Sequence, residues 1–505
     1  MLELTSVAGT RAMRVCLMVI VTLCAIGCTR PNPLDCSDGT CTDPAFPFCD
    51  QDGSVAGHPE TCIAVTCNPG DFAACRGDEM LRCNTTGNDY EITQCEHGCD
   101  AASSGCVSCL DNTQCANPAP ACDATTHTCR GCSTDADCAS EVCDTSSGAC
   151  VDPSTIIYAS PDGAVAGACG SQATPCVFSR AFAQLDSVLT TVKLRSGDYT
   201  EEVSIVLMTP MGETRSVDGS GATVQATTNE PVFVVTGPGK FHIWGLTFTY
   251  VKGGDSHSNN SGILCGDNTS STNTLLEAEQ LTFVGGYEHV DVESCEAMFR
   301  RVRFSGAELG PGGYSGNLVG MVSHGIATFD QCLFESIGMS PSSPLETVNS
   351  LDPVGVQVHI MNSIFRGTAD MFITQGAIDI QFSTFVNLAS PIDCTNDSSG
   401  GDKGKRIYSN NLFVNTSGAD IAAGSACTYH YDLMSSQHTP VVSDHMIMNV
   451  DPMLKDLANG DYHLLPGSQA AGAADPAATL TTDYDGYKRT DGGPRRDLGA
   501  FELHP

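Results

Sequence analysis

The chain of 505 residues is short of aromatic rings and of positive charge. It has one tryptophan, Trp244, and 6% aromatic residues overall, so no row of ring faces stands ready for sugars to stack on. Trp244, beside Gly245, is the one candidate platform, and a half-buried strand residue is the plainer reading. Lysine and arginine number 24 against 59 acids, a formal net charge of -35. That balance excludes nucleic acid and an anionic membrane surface as partners. It suits a solvated exported surface and, more narrowly, calcium binding. The acid run Thr134 to Asp137 is too short for a calcium loop and reads as a turn. The apolar run Val15 to Gly27 is too short to cross a bilayer.

That run has the length of a signal-peptide core and follows Arg11 and Arg14. Its end, Ala25-Ile26-Gly27-Cys28, resembles a bacterial lipobox. The resemblance implies that residues 1–27 form a signal peptide, that Cys28 takes a lipid, and that the chain is held at the outer membrane. Thr29, rather than Asp, follows the lipid site, which in lipoprotein families goes with export to that membrane.

Cysteine is plentiful. Setting aside Cys16, Cys24 and Cys28 from the 28 leaves 25, and 18 of these lie between Cys36 and Cys150. Such density means disulfides and an oxidising compartment. Cys109 to Cys129 and Cys132 to Cys150 are two tandem four-cysteine units of about 20 residues. Cys67 to Cys106 forms a six-cysteine module and Cys36 to Cys62 a four-cysteine one. Units this small cannot bury a core, so pairing within each module must hold them. The pairs Cys106/Cys109 and Cys129/Cys132 also fit a four-cysteine zinc site, but tandem repetition produces that spacing anyway. Residues 28–151 therefore read as a disulfide-rich stalk without a catalytic role.

The composition changes at Ile156. Seven segments end in phenylalanine, at Phe248, Phe283, Phe304, Phe334, Phe365, Phe385 and Phe413. Two residues on, five of them carry a residue that accepts a left-handed backbone: Gly285, Gly306, Gly367, Asn387 and Asn415. A strand closed by such a turn, recurring every 20 to 35 residues, is the signature of a solenoid. Three residues before the Phe sit Gln280, Gln331, Asn362 and Asn410, amides placed to hydrogen-bond from coil to coil; Gly245, Arg301 and Phe382 interrupt them. A strand spacing of roughly 4.8 Å and this repeat predict about eight to ten coils. Insertions at Gly253–Thr274, Glu308–Leu318 and Ser340–Pro353 read as loops.

The series Tyr158 to Gly163, Gly170 to Cys176, a predicted helix at Ser179 to Leu189, and Val192 to Tyr199 resembles the opening of right-handed parallel β-helix proteins of the pectate-lyase-like superfamily. Markers from Asp451 to Glu502, among them Gly460 to Leu464, Arg489 and Asp497 to Glu502, resemble the closing segment of secreted β-helix repeat proteins. The resemblance implies an all-β fold, a right-handed parallel β-helix over residues 155–505, whose segment 451–505 caps the last strand edge. Cys169 and Cys176 would staple the opening loop. Cys265 with Cys295, and Cys394 with Cys427, are 30 and 33 residues apart, close to one long coil, so each pair is placed to bridge adjacent rungs. Cys332 is left as a buried free thiol.

Chemistry is harder to read. Arg301 and Arg303 face outward with one period, and Asp291 and Glu293 with the same period on the preceding strand. A lyase of this fold needs acids for calcium and a basic residue near the proton it abstracts, so these four are the catalytic candidates. A salt-bridge ladder on a solvated face is the alternative. His289, His324 and His359 recur at 35 residues but lie out of register with the Phe markers, so they form no metal row. Polygalacturonase-like motifs have weak echoes at Thr395–Asp397, Ser323–Gly325 and Arg406–Tyr408, in the wrong order. Two functions compete. One is a non-catalytic surface protein binding an extracellular polysaccharide or a cell-surface protein. The other is a polysaccharide lyase or glycoside hydrolase acting on a lateral face.

Overall fold

The computed structural model describes residues 34–504 apart from 202–203, 227–229, 251–261, 267–273, 286–288, 307–318, 324, 336–345, 348–355, 368–369, 375, 389, 393–405, 416–426, 436–442 and 490–494. Cys28, His324, Cys394, Thr395–Asp397 and most of the three predicted insertions lie outside these residues. The chain divides into two compact units, Met1–Val151 and Asp152–Pro505.

The first unit is a string of short antiparallel hairpins cross-linked inside each module. The bridges are Cys36–Cys49, Cys41–Cys62, Cys67–Cys83, Cys75–Cys99, Cys95–Cys106, Cys109–Cys122, Cys115–Cys129, Cys132–Cys143 and Cys138–Cys150. All four cysteines of the zinc alternative are thus consumed as disulfides. Its largest described apolar cluster centres on Phe48, Val65 and Leu81, so the cross-links rather than a core hold the chain.

The second unit is a parallel β-helix. Among the described residues its walls are sheets of twelve, eleven and eight strands, and successive strands in each wall come from successive coils. One coil runs Ile205–Met208 in the eight-stranded sheet, Thr214–Asp218 in the twelve-stranded sheet and Ala222–Ala226 in the eleven-stranded sheet. The next begins at Phe233, paired in register with Ile205. Eleven strands in one wall slightly exceed the expected eight to ten coils. The surplus comes from short strands without the Phe marker, such as Leu433–Met434 and Ile447–Met448.

The seven marker phenylalanines stand in one column of the eleven-stranded sheet, paired in register from Phe248 to Phe413. Their rings stack with centroids 4.7, 5.4, 5.0, 4.5, 4.8 and 4.7 Å apart. Period-2 alternation sends each ring into the hollow of the coil and its neighbours outward. The following turn residues Gly285, Gly306, Gly367, Asn387 and Asn415 all have positive φ.

The amide column works differently from the expectation. Gly245, Gln280, Arg301, Gln331, Asn362, Phe382, Asn410, Tyr431 and His445 all turn the corner between the twelve- and eleven-stranded sheets with φ between 47° and 72°. The shared property is a left-handed backbone, which Asn and Gly adopt most easily but which packing imposes on Arg, Phe and Tyr as well. The hydrogen-bonded ladder lies one residue further on and points inward. The Cys332 N–H donates to Ser363 Oγ (3.1 Å), Ser363 N–H to Ser383 Oγ (3.2 Å), Ser383 N–H to Asn411 Oδ1 (2.8 Å) and Asn411 N–H to Asp432 Oδ1 (2.7 Å). Earlier coils hold Leu246, Leu281 and Val302 at this position.

The expected helix over 179–189 is confined to Phe178–Phe182. Phe178, Ala181 and Phe182 are buried against the first coils. Cys169–Cys176 closes the loop before it and Cys265–Cys295 joins neighbouring coils, with Cα atoms 5.1 and 6.0 Å apart. Cys427 is disulfide-bonded, and Cys332 is buried and free.

The described contacts of the C-terminal segment give its place. They lie on the outer face of the eleven-stranded sheet, reaching Ile447 of its last described strand. There Tyr462, Leu464, Ala470, Ala474, Leu498, Ala500 and Phe501 form one apolar cluster with Ile364, Phe382, Val386, Leu412, Val414 and Leu433. Gly499 N–H donates to Asn410 O and Ala500 N–H to Thr384 Oγ1. Outward Ile, Val and Leu side chains on successive coils needed a cover, and this strap supplies it.

Candidate functional site

Asp291 and Glu293 belong to the strand Val290–Glu293 of the eight-stranded sheet. Val290 and Val292 pack into the hollow, so the two acids point away from it. Asp291 continues an outward column of Val206, Val234 and Leu264. The solvated face expected for the acids is absent: Asp291 is 2% exposed and Glu293 7%. Burial first, and then the nearby charge of Glu293, pushes the Asp291 carboxyl up to about 7. Its Oδ1 has no hydrogen-bond partner among the described residues.

Two buried carboxylates on one strand can be tested as ligands for the calcium considered from the sequence. Two carboxylates on one face are hard oxygen ligands of the kind calcium takes. The unpartnered Asp291 Oδ1 has coordination capacity to spare. These residues supply part of the roughly six to eight oxygens calcium takes; if an ion binds this wall, Asp291 and Glu293 would hold it.

The two arginines do not join them. Arg301 turns the corner between the other two sheets, and its Nε donates to Gln331 Oε1 at 3.2 Å. Arg303 lies on the outer face of the eleven-stranded sheet, where Nη2 is 2.7 Å from Glu335 Oε2. Glu335 also pairs with Arg366 and accepts from Ser305 Oγ. Burial works to raise the Glu335 carboxyl, but the hydrogen bond and charge of Arg303, together with Arg366, outweigh it and hold it low. Arg303, Glu335 and Arg366 are thus an ion ladder across coils, built with other partners than the Asp291 and Glu293 of the expected ladder. The four candidates divide between an acid pair on one wall and two arginines engaged on others.

His289 is buried, stacked on Phe283 with centroids 5.4 Å apart, and its Nε2 is 2.6 Å from Gly285 O. Burial pushes it down to about 4, so at neutral pH it is an uncharged packing group. Trp244 is 3% exposed, with its ring 4.5 Å from that of His242, which leaves no open face for a sugar. Arg406 and Tyr408 are buried strand residues.

The first coils of the eleven-stranded sheet carry a different surface, which sequence reasoning passed over. Between Asp198 and Arg303 its outward positions, paired in register, are Thr223 and Gln225, Thr247 and Thr249, Thr282 and Val284. The Thr and Gln side chains are half-buried and Val284 is exposed. This face holds hydroxyl and amide groups and no charge until Arg303. The Thr-Phe-Thr run at 247–249 was the available signal; the inward Phe drew the reading and the outward threonines looked like ordinary strand formers.

No protein-family profile matches the chain, and no curated protein does. In fold it is similar to the solved pectate lyase Pel9A, at 15% identity over 69% of this chain and 96% of that one, with a TM-score of 0.46. A rhamnogalacturonan lyase aligns at 12% identity over 58% and 87%, TM-score 0.31. A variant of the PL6 alginate lyase AlyGC aligns at 11% over 65% and 58%, TM-score 0.24. At such identities the likeness concerns fold alone.

Proposed function

We propose that this protein is an outer-membrane lipoprotein, anchored through Cys28, whose β-helix binds an uncharged extracellular polysaccharide without cleaving it. The carrying observation is the uncharged strip Thr223, Gln225, Thr247, Thr249 and Thr282. Strands spaced by about 4.8 Å repeat its hydroxyl and amide groups along the rod, and each can donate to or accept from a sugar hydroxyl. A chain of charge -35 repels polyuronates, whereas a neutral glycan meets no such barrier. The engagement of Arg301 by Gln331 and of Arg303 by Glu335 favours binding over proton abstraction.

The second reading, a calcium-assisted lyase, draws on the buried Asp291 and Glu293. A glycan-array screen of the full chain carrying Cys28→Ser, with calcium present, followed by a product assay on every hit, separates the two. Retention of a neutral glycan without products, lost in Thr247→Glu/Thr282→Glu, is the expected result. Products that disappear in Arg301→Ala or Asp291→Asn would overturn it. Anchoring is tested by palmitate labelling: Cys28→Ser should release the protein unlabelled.

A further inference from the structure

His463 joins three pieces of the C-terminal strap. It lies on the strand Asp461–Leu464, which pairs with Leu454–Asp456. Its Nδ1 is 2.5 Å from Asp461 Oδ1, and its Nε2 is 2.7 Å from Asp485 Oδ2 on the loop 483–487. Its ring lies 4.2 Å, centroid to centroid, from Phe501, a member of the apolar cluster on the sheet.

A neutral imidazole has one N–H and one lone pair. It can donate to one of these carboxylates but must turn its lone pair toward the other. Only the imidazolium, a donor at both nitrogens, satisfies both. The charged groups around the ring are Asp461 on its own strand, Lys455 on the paired strand, whose Nζ is 3.0 Å from Asp461 Oδ2, and Asp485 on the loop. Phe501 brings no charge, and the next pair out is His504 with Asp483 at 3.5 Å. The loop held by Asp485 rests on the β-helix: Gln331 Nε2 donates to Asp483 O at 2.6 Å, and a Cβ built on Gly486 would lie 3.8 Å from an Arg301 guanidinium nitrogen.

We propose that His463 is a proton-operated latch: its imidazolium bridges Asp461 and Asp485 and so pins the Asp485–Gly486 tip of the loop 483–487 to the strand Asp461–Leu464, and loss of the proton loosens that tip, while Tyr484 N–H to Ala500 O, Glu502 N–H to Asp483 Oδ2 and Gln331 Nε2 to Asp483 O keep the base of the loop in place. Burial works against the charged ring, but the two carboxylates outweigh it and raise His463 above the ordinary 6.5. In turn the His463 hydrogen bond, ahead of Lys455, draws the Asp461 carboxyl down to about 2. The pinned tip therefore has its full stability below pH 6.5 and loses it as pH rises through the raised histidine value.

The test is hydrogen exchange on the full chain from pH 5 to 9, corrected for intrinsic rates and resolved to peptides covering 481–488. Protection at this loop tip should fall with rising pH, by up to about tenfold per pH unit between 6.5 and the raised histidine value and no further above it, while peptides from the Phe column stay unchanged. His463→Gln should give low protection at every pH. Asp485→Asn should lower the histidine's own titration, read from its ring proton by NMR. A loop whose protection ignores pH, or a His463 that titrates at or below 6.5 in the native protein, would overturn the latch. Loss of protection throughout the chain in His463→Gln would leave the Asp485→Asn titration as the deciding measurement.

Discussion

The guanidinium of Arg489 lies over the ring of Phe382, its central carbon 4.4 Å from the ring centroid. Phe382 occupies a corner of the β-helix where four other coils place Asn or Gln, and Arg489 belongs to the strap. Arg489 is 1% exposed. Its Nη2 donates to Asn362 Oδ1, Gly499 O and Ala500 O, and its Nε to Thr482 O. Burial pulls it down to about 10 against the charges of Glu502, Asp483 and Asp497, so it remains a cation at neutral pH. One buried cation joins the strap to two coils.

Removing it strips the buried Glu502 carboxylate of its cation and Gly499 O and Thr482 O of a donor. Arg489→Met should cost about 3–5 kcal/mol, measured by chemical denaturation. Limited proteolysis should cut within 451–504 first. Arg489→Lys should not rescue, because an ammonium cannot span acceptors set around a planar fork.

Phe334 stacks between Phe304 and Phe365 at 5.0 and 4.5 Å. Phe334→Ala opens a cavity in mid-column and should cost about 3–5 kcal/mol. Each ring supports the next coil, so hydrogen exchange should rise on both sides of the site and fade toward the ends.

The column itself was legible in the sequence because a parallel coil repeats one environment, and a stacked aromatic leaves a mark at every turn. The corner was read less well. Its rule is a backbone angle, which Asn and Gly advertise and Arg301, Phe382 and Tyr431 conceal. The inward ladder of Ser363, Ser383, Asn411 and Asp432 escaped because Ser and Asn in a strand look like surface residues until the hollow is known. The candidate acids were placed on the correct side of their strand, but alternation says nothing about what covers that side. Their burial, and the separation of Arg301 and Arg303 onto other walls, depend on how three sheets close around a coil.

Asp432 ends that ladder and is wholly buried. Burial above all, relieved in part by the Asn411 hydrogen bonds, pushes its carboxyl up to about 8. Unfolded, the group ionises near 3.8, so between these values the folded chain binds the extra proton. Its contribution to stability is full below pH 3.8 and lost as pH rises to 8. Asp432→Asn keeps an oxygen for the Asn411 donors and removes that dependence. The variant should match the native protein near pH 4 and melt at higher temperature at pH 8, by calorimetry. Equal melting at both values would mean that the carboxyl is not held neutral.

Asp291 follows the same sign and adds a ligand. Its carboxyl titrates near 7 in the fold against 3.8 unfolded, so without an ion stability should decline from pH 4 toward 7. A bound calcium ion favours the carboxylate and reverses that decline, because it binds the folded chain and raises stability by mass action. The expected outcome is a melting temperature at pH 7.5 that rises with calcium, with the largest gain at the highest pH. Asp291→Asn should remove most of the gain while raising the calcium-free melting temperature, since the amide carries no buried charge. Glu293→Gln should weaken the calcium response and draw the Asp291 titration downward. A calcium response unchanged in both variants would place the ion elsewhere and remove the observation that keeps a lyase reading alive. A response confined to these two acids, with no product from any glycan, would leave calcium a structural brace of the eight-stranded wall.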